Sequence, residues 1–386
     1  MLTTLLLFIV VLGLLVFVHE LGHFITAKKM GVKVEEFGFG FPPRMLGVYK
    51  NQEGKTKIIF KKTPDRAGRT IYSLNWIPLG GFVKIKGEEG EHRNEPDSFS
   101  AKKIWQRAVI LAAGVSMNVV LAIIILGIGF GIGIPQVLEN NMPKGAVIKD
   151  RTIQIVSVAK DSPASKAGIK SGDEIIYIDN KILSSGELQN YVSGKIGKEV
   201  IYTIKREAGQ LDKKIIPMLL PETGKGGIGI GLLEVGTVSY PWHIAVWKGV
   251  GEVWFYIKEI VLAFHMLFYG LLAGKGATVD LSGPVGIAVL TGKVARLGII
   301  YLMQFTAVLS VNLAIINILP FPALDGGRIL FLGIEKIRGK PISQRIESLI
   351  HNLGFAILML LVVVVTYNDF VKFGSKFVNL WQSIVQ

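Results

Sequence analysis

Apolar residues along this chain gather into a few long runs separated by polar, basic and glycine-rich stretches. The first run covers Met1 to about Ala27 and ends at Lys28 and Lys29. The second covers Ile104 to Ile134, the third Leu297 to about Leu319, and the fourth Ile350 to Thr366. An α-helix needs about 20 mainly apolar residues to cross a bilayer, and each run approaches or exceeds that. Tyr240 to Gly274 is apolar too, but Lys248, Glu252, Lys258 and Glu259 interrupt it. That pattern predicts a helix lying on the membrane surface. The expected fold is a multi-pass α-helical membrane protein with four transmembrane helices.

The stretches between the runs carry other signals. Phe37 to Pro43 and Ile71 to Ile85 read as short strands with sharp turns. Their apolar character predicts a membrane-associated β-hairpin or re-entrant loop, with a small β-domain outside the membrane as the competing reading. Lys86 to Lys103 reads as a solvated linker. From Pro135 to about Pro221 the chain becomes mixed in charge, with short strand runs. There a short helix from Pro163 to Ala167 ends at Gly168, and a Gly172-Asp173 turn launches an alternating strand. This segment resembles a bacterial, protease-associated PDZ domain, a class that takes an extended peptide as an added strand. The expected organisation is a membrane core over 1–134, one PDZ-like α+β domain over 135–222, a linker with the surface helix over 223–296, and a second membrane core over 297–386. The last part ends in an interfacial tail from Asn368.

Composition narrows this further. Half of the residues are hydrophobic, and the net charge is +14. In a membrane chain that excess reports orientation before it reports a nucleic-acid partner, and none is expected. Lys28 and Lys29 place the end of the first run on the cytoplasmic side, by the positive-inside tendency. The PDZ-like domain then falls on the outer side. A secretory signal would show a positive leading region and a small-residue cleavage site. Neither is present, so the first run is expected to be retained. Cysteine is absent, so a metal site here must use His, Asp or Glu.

The chemistry sits inside the first run. His19-Glu20-Leu21-Gly22-His23 has the form H-E-x-x-H. On a helix, residues four apart share a face, so both imidazoles can reach one metal ion, with Glu20 beside them as a general base. Ionisable groups in an apolar membrane segment are costly and point to function. Zinc suits imidazole and carboxylate ligands and takes three of them from the protein in a catalytic site. Asp325 is the candidate third ligand, placed after the helix-breaking Pro320 and Pro322. The competing reading makes it a cap on the helix that starts at Gly326. If Tyr240 to Gly274 were a fifth crossing, Asp325 would arrive at the wrong face. In the second run Gly114 and Asn118 lie four apart among small residues, which allows close helix approach and a hydrogen bond across it.

His19 to His23, the Gly114-to-Asn118 spacing and Asn317-Ile318-Leu319-Pro320-Phe321-Pro322-Ala323-Leu324-Asp325-Gly326 are similar to the three signatures of the site-2 protease family. Leu281 to Ala288 and Ile77 to Lys84 resemble its bacterial regulator of sigma-E protease branch. The resemblance implies an intramembrane zinc metalloprotease with His19, His23 and Asp325 as ligands and Glu20 as base. It implies that Asn317 orients substrate and that the Gly80-Gly81 loop pairs with it. It also implies single-pass membrane substrates already shortened by another protease. Well-known members of that branch carry two PDZ domains, whereas this chain has room for one. Two other classes stay open: a PDZ-bearing membrane scaffold with an inactive metal site, and a metal transporter.

Overall fold

A computed structural model describes residues 2–51, 53–60, 69–138, 145–206, 209–220, 224–274 and 282–385. Helix α1 spans Leu2–Lys29, and strands β1 (Val34–Lys50), β2 (Thr56–Ile59) and β3 (Ile71–Ile85) follow it. Helix α2 spans Ile104–Ile132. Next come β4 (Ile134–Val137), β5 (Val147–Val158), α3 (Pro163–Lys166), β6 (Glu174–Ile178), α4 (Ser185–Ser193), β7 (Val200–Arg206) and β8 (Gly209–Ile215). The short β9 (Met218–Leu219) and β10 (Gly226–Gly227) pair with each other, and β11 spans Ile230–Ser239. The chain finishes with α5 (Trp242–Leu272), α6 (Pro284–Leu297), α7 (Ile299–Ile318), α8 (Asp325–Arg338) and α9 (Gln344–Val385).

Two compact units result, one of Met1–Gly127 with Val246–Gln386 and one of Ile128–Ala245. In the first, α1 and α7 run in the same direction. Gly292, just before α7, abuts Thr4 near the start of α1, and Leu302 packs with Val11 and Leu15. Asp325, just past the end of α7, meets His19 and His23. Helix α2 runs the opposite way, with its Ile110 carbonyl at His23 and Asn118 at His19. Helix α9 also opposes α7. Its His351 bonds Ala323 beside the site, while Asp369 accepts the backbone N–H groups of Gly283 and Gly286 at the start of α6. Eighteen residues separate those two contacts, about 27 Å of helix at 1.5 Å per residue, close to the apolar thickness of a bilayer.

The sheet of the first unit is more folded than a hairpin. Val34 to Phe39 lies between Gly81–Ile85 on one side and Ile71–Leu74 on the other, because β1 and β3 both bend back on themselves. Leu46 to Lys50 and then β2 complete it. Gly81 to Ile85 is therefore an edge strand. The bends carry exposed Phe41, Trp76 and Ile77. At this end Phe39 and the Pro78 carbonyl lie against Gly13 of α1, 3.6 and 3.9 Å from where a side chain would begin. Gly13 is six residues before His19, about 9 Å along the helix.

Several boundaries differ from the sequence reading. The stretch read as a linker after residue 222 supplies β11, which sits between β4 and β5 in the six-stranded order β4-β11-β5-β6-β7-β8 of the second unit. Its glycines weaken the strand pattern, so only the long-range pairing reveals it. The segment from Lys86 to Lys103 is no solvated linker. Phe99 is buried with Ala27, Val34, Ile110 and Leu332, and Lys86 pairs with Asp97 at 2.7 Å and with Glu95. Among the described residues five helices, not four, have the length and composition to cross a membrane, α5 being the additional one. Helix α9 runs unbroken from the fourth apolar run through Asn368 to Val385. Leu281 of the branch-like motif lies outside the described residues.

Candidate metal centre

Helices α1 and α2 touch through backbone, and that contact builds the site. A side chain at Gly22 would begin 2.4 Å from the Ala113 carbonyl. One at Gly114 would begin 2.4 Å from His23 Nε2 and 2.8 Å from His19 Nε2. Gly114 is thus the floor beneath both imidazoles, which are themselves buried. The third member arrives from α8. Past α7 the chain turns at Pro320 and Pro322 with Ala323 in the left-handed region (φ 76°). His351 Nδ1 accepts the Ala323 N–H at 2.8 Å and holds that turn. Gly326 and Gly327 let α8 start directly against the end of α7, where any Cβ would strike the carbonyls of Ile318 and Phe321 at 2.1 and 2.2 Å.

The result is a triangle of ligand atoms. Asp325 Oδ2 lies 3.0 Å from His19 Nε2 and 3.4 Å from His23 Nε2, and the two Nε2 atoms are 3.2 Å apart. Ligands at about 2.0–2.1 Å around a tetrahedral zinc ion stand about 3.3 Å from one another. The triangle has that size. Asp325 Oδ2 is also buried with no hydrogen-bond partner, as a lone pair aimed at a shared cation would be. The capping alternative fails on geometry, since Leu324 is the N-cap of α8 and no side chain caps it.

The far nitrogens of the imidazoles are anchored. His23 Nδ1 is 2.9 Å from the Ile110 carbonyl, so it carries the proton and donates, leaving Nε2 free to coordinate. His19 Nδ1 faces the Asn118 amide at 3.3 Å. The Asn118 Oδ1 atom is buried without a partner. Turning the amide over brings Oδ1 to His19 Nδ1–H and satisfies both groups, and the two amide orientations differ only in which atom is called oxygen.

Glu20 is half-buried and forms no salt bridge among the described residues, yet it lies within electrostatic reach of His19, His23, Asp325 and Glu88. Gly80 adopts φ 109° and Gly81 extended backbone beside Val16 and Phe17 of α1, one turn before His19. Asn317 occupies the last turn of α7, half-buried, and makes no side-chain hydrogen bond among the described residues. Sequence reasoning missed His351, the paired Arg328 and Glu88, and the Ile110 carbonyl. An ionisable residue opening the fourth apolar run was a usable sign for His351. A backbone carbonyl leaves no sign in sequence.

Residues 7–361 match the model of peptidase family M50. The chain is 31% identical to the zinc metalloprotease RasP of Geobacillus kaustophilus, over 95% of this chain and 97% of that protein. It is 35% identical to a Clostridium perfringens protein named "Putative zinc metalloprotease CPE1693", over 92% and 95%. Among solved structures, the PDZ domain of the SdrC-like protein Lin2157 from Listeria innocua is similar over 21% of this chain and 91% of that domain, at 29% identity and a TM-score of 0.20.

Proposed function

The chain belongs to peptidase family M50, the site-2 proteases, and from that premise we propose that His19, His23 and Asp325 hold its zinc ion and that Glu20 is its catalytic base. It is a zinc-dependent, membrane-embedded protease. The observation that carries the assignment is the convergence of the three ligand atoms within 3.0–3.4 Å, from segments some three hundred positions apart. When bound there, zinc supplies a Lewis acid that polarises the scissile carbonyl. The Glu20 carboxylate takes the proton of the attacking water and passes it to the leaving amide nitrogen. Ile110 and Asn118 orient the two imidazoles.

The substrate is a single-pass membrane helix, shortened beforehand by another protease. A helical amide is shielded, so the segment must unwind. The edge strand from Gly81 to Ile85 offers free backbone groups beside α1 for an added strand, and Gly80 gives that strand its start. Asn317 is assigned to substrate orientation on its place one turn before the Pro-Phe-Pro break. The bends of β1 and β3, level with Gly13, form a re-entrant element; non-helical backbone is tolerated at that depth only against protein or water, and α1 supplies the protein.

We infer four crossings, α1, α2, α7 and α9, with the site near the cytoplasmic face. Lys28, Lys29 and the basic segment of α8 support that side. Because α7 starts at the same end as α1, the chain between α2 and α7 makes no net crossing. Helix α5, whose Gly249 packs against the Ile123 and Gly127 backbone of α2, is assigned no crossing of its own, and its exposed Trp247 and Trp254 suit the interface. The unit of Ile128–Ala245 is read as a PDZ-like module on the outer side that takes an extended peptide. Its α3, capped by Ser162, and the Gly172 turn support the reading.

Replacing Glu20 by Gln should leave zinc bound and lower cleavage of a membrane-anchored reporter about 10²–10⁴-fold. Cleavage near the wild-type rate would remove Glu20 from the chemistry. A scaffold predicts no cleavage by either form.

A further inference from the structure

A cavity of about 570 Å³ opens at the end of α1, away from the metal centre. Buried Val32, Val34, Tyr49 and Thr70 form its floor, and Val48, Thr56 and Tyr72 its sides. Four cations surround it: Lys28, Lys33, Lys50 and Arg69. Among the described residues, no Asp or Glu lines it. Neighbouring carboxylates are engaged elsewhere, Glu36 with Arg44, Glu35 with Lys84 at 2.8 Å, and Asp97, which also feels Lys33, with Lys86 at 2.7 Å. Lys28 donates to the Tyr72 hydroxyl at 3.3 Å and sits 4.7 Å from the centre of the Phe24 ring, contacts that hold its amine in place without cancelling its charge.

Depth narrows the choice of anion. Lys28 and Lys29 end the apolar run of α1, and exposed Ile25 and Tyr72 mark the apolar side of that level. The cavity thus lies where a spanning helix leaves the hydrocarbon for the headgroups. Like charges crowded around a small concavity repel, and an anion between them removes the repulsion. The Thr56 and Thr70 hydroxyls can donate to phosphate oxygens, while the valine floor suits a glycerol backbone. We propose that this cavity binds the phosphodiester headgroup of an anionic bilayer lipid, a known partner class for basic pockets at the cytoplasmic side. Such a headgroup ties the end of α1 to Lys50 and Arg69, on the sheet that also carries Gly80 and Gly81. The proposal rests on α1 crossing the bilayer and is independent of the metal site.

The test uses the full chain in detergent micelles, stripped of lipid and titrated with phosphatidylglycerol or phosphatidylcholine under native mass spectrometry. Phosphatidylglycerol should be retained about tenfold more tightly or better, and about 10 mM inorganic phosphate should not displace it. The triple variant Lys33→Gln, Lys50→Gln, Arg69→Gln should lose about fivefold in affinity per charge, about a hundredfold in all, with phosphatidylcholine binding and zinc content unchanged. The triple variant Lys160→Gln, Lys166→Gln, Lys198→Gln removes the same charge from exposed sites of the other unit and should behave as wild type. If the first triple variant does not fold, exposed Arg69→Gln alone should still show its fivefold loss. Equal retention of the two lipids, equal losses in both triple variants, or displacement by free phosphate would each overturn the proposal.

Discussion

Substituting Gly114 by Ala adds one methyl group at the base of the metal centre. Its carbon would stand 2.4 Å from His23 Nε2 and 2.8 Å from His19 Nε2 and Cε1. Ordinary contact begins near 3.5 Å, so the imidazoles must retreat by about 1 Å. Neither can swing freely. His23 is fixed to the Ile110 carbonyl at 2.9 Å and His19 faces Asn118, both on the helix that carries Gly114. Moving the helices apart instead would break the His23 bond and open the Gly22–Ala113 contact. Metal–ligand distances tolerate about 0.2 Å, so the displacement removes at least one ligand. Zinc affinity should fall about 100-fold or more, with cleavage lost in parallel. The assay is chelator competition and metal content on purified full-length protein, with metal-free thermal unfolding as the folding control. Gly333→Ala, on α8 with nothing within 4 Å of the added carbon, should match wild type. Stoichiometric zinc at wild-type affinity in Gly114→Ala would refute the reasoning.

Other outcomes follow from the same geometry. Asn118→Ala removes the partner of His19 Nδ1 and should weaken zinc binding about 10–100-fold, whereas Asn118→Gln or Asn118→Asp, keeping an acceptor, should recover part of it; equal affinity in all forms would show that the amide only packs. In the second unit, buried Asp173 accepts two Arg206 hydrogen bonds at 2.7 Å and the Lys170 N–H at 2.8 Å, and the Arg206 guanidinium holds its carboxyl below the usual carboxylate range. Its stabilising contribution is therefore full above the unfolded value near pH 4 and is lost as pH falls through the lower folded value. Asp173→Asn should cost about 2 kcal/mol at pH 7 and flatten the acid dependence, read by hydrogen exchange of β7 between pH 2 and 7. An unchanged acid slope would contradict that role.

Where the sequence was informative, the reason is local periodicity. The four-residue spacing of His19 and His23, and of Gly114 and Asn118, places each pair on one helix face before any packing is known. Asp325 was legible because two prolines make the third run stop. What stayed hidden depends on long-range pairing. Strand β11, with Gly231 and Gly236 in it, has a weak pattern of its own and is fixed by β4 and β5 on either side. The double-backed sheet needs the register between β1 and β3, which no local pattern encodes. Helix α5 carries enough apolar surface to pass as a span by length and composition, so the apolar pattern alone does not separate it from the crossings.

The central claim is that two imidazoles of α1 and one carboxylate of α8 hold a single zinc ion. Zinc-edge X-ray absorption on the purified full-length protein, compared with Asp325→Asn, tests it directly. The account predicts a shell of nitrogen and oxygen only, at about 2.0–2.1 Å, with the scattering of two imidazoles, and a large loss of bound zinc in the variant. A spectrum with fewer than two imidazoles, or one unchanged by Asp325→Asn at full occupancy, would contradict it.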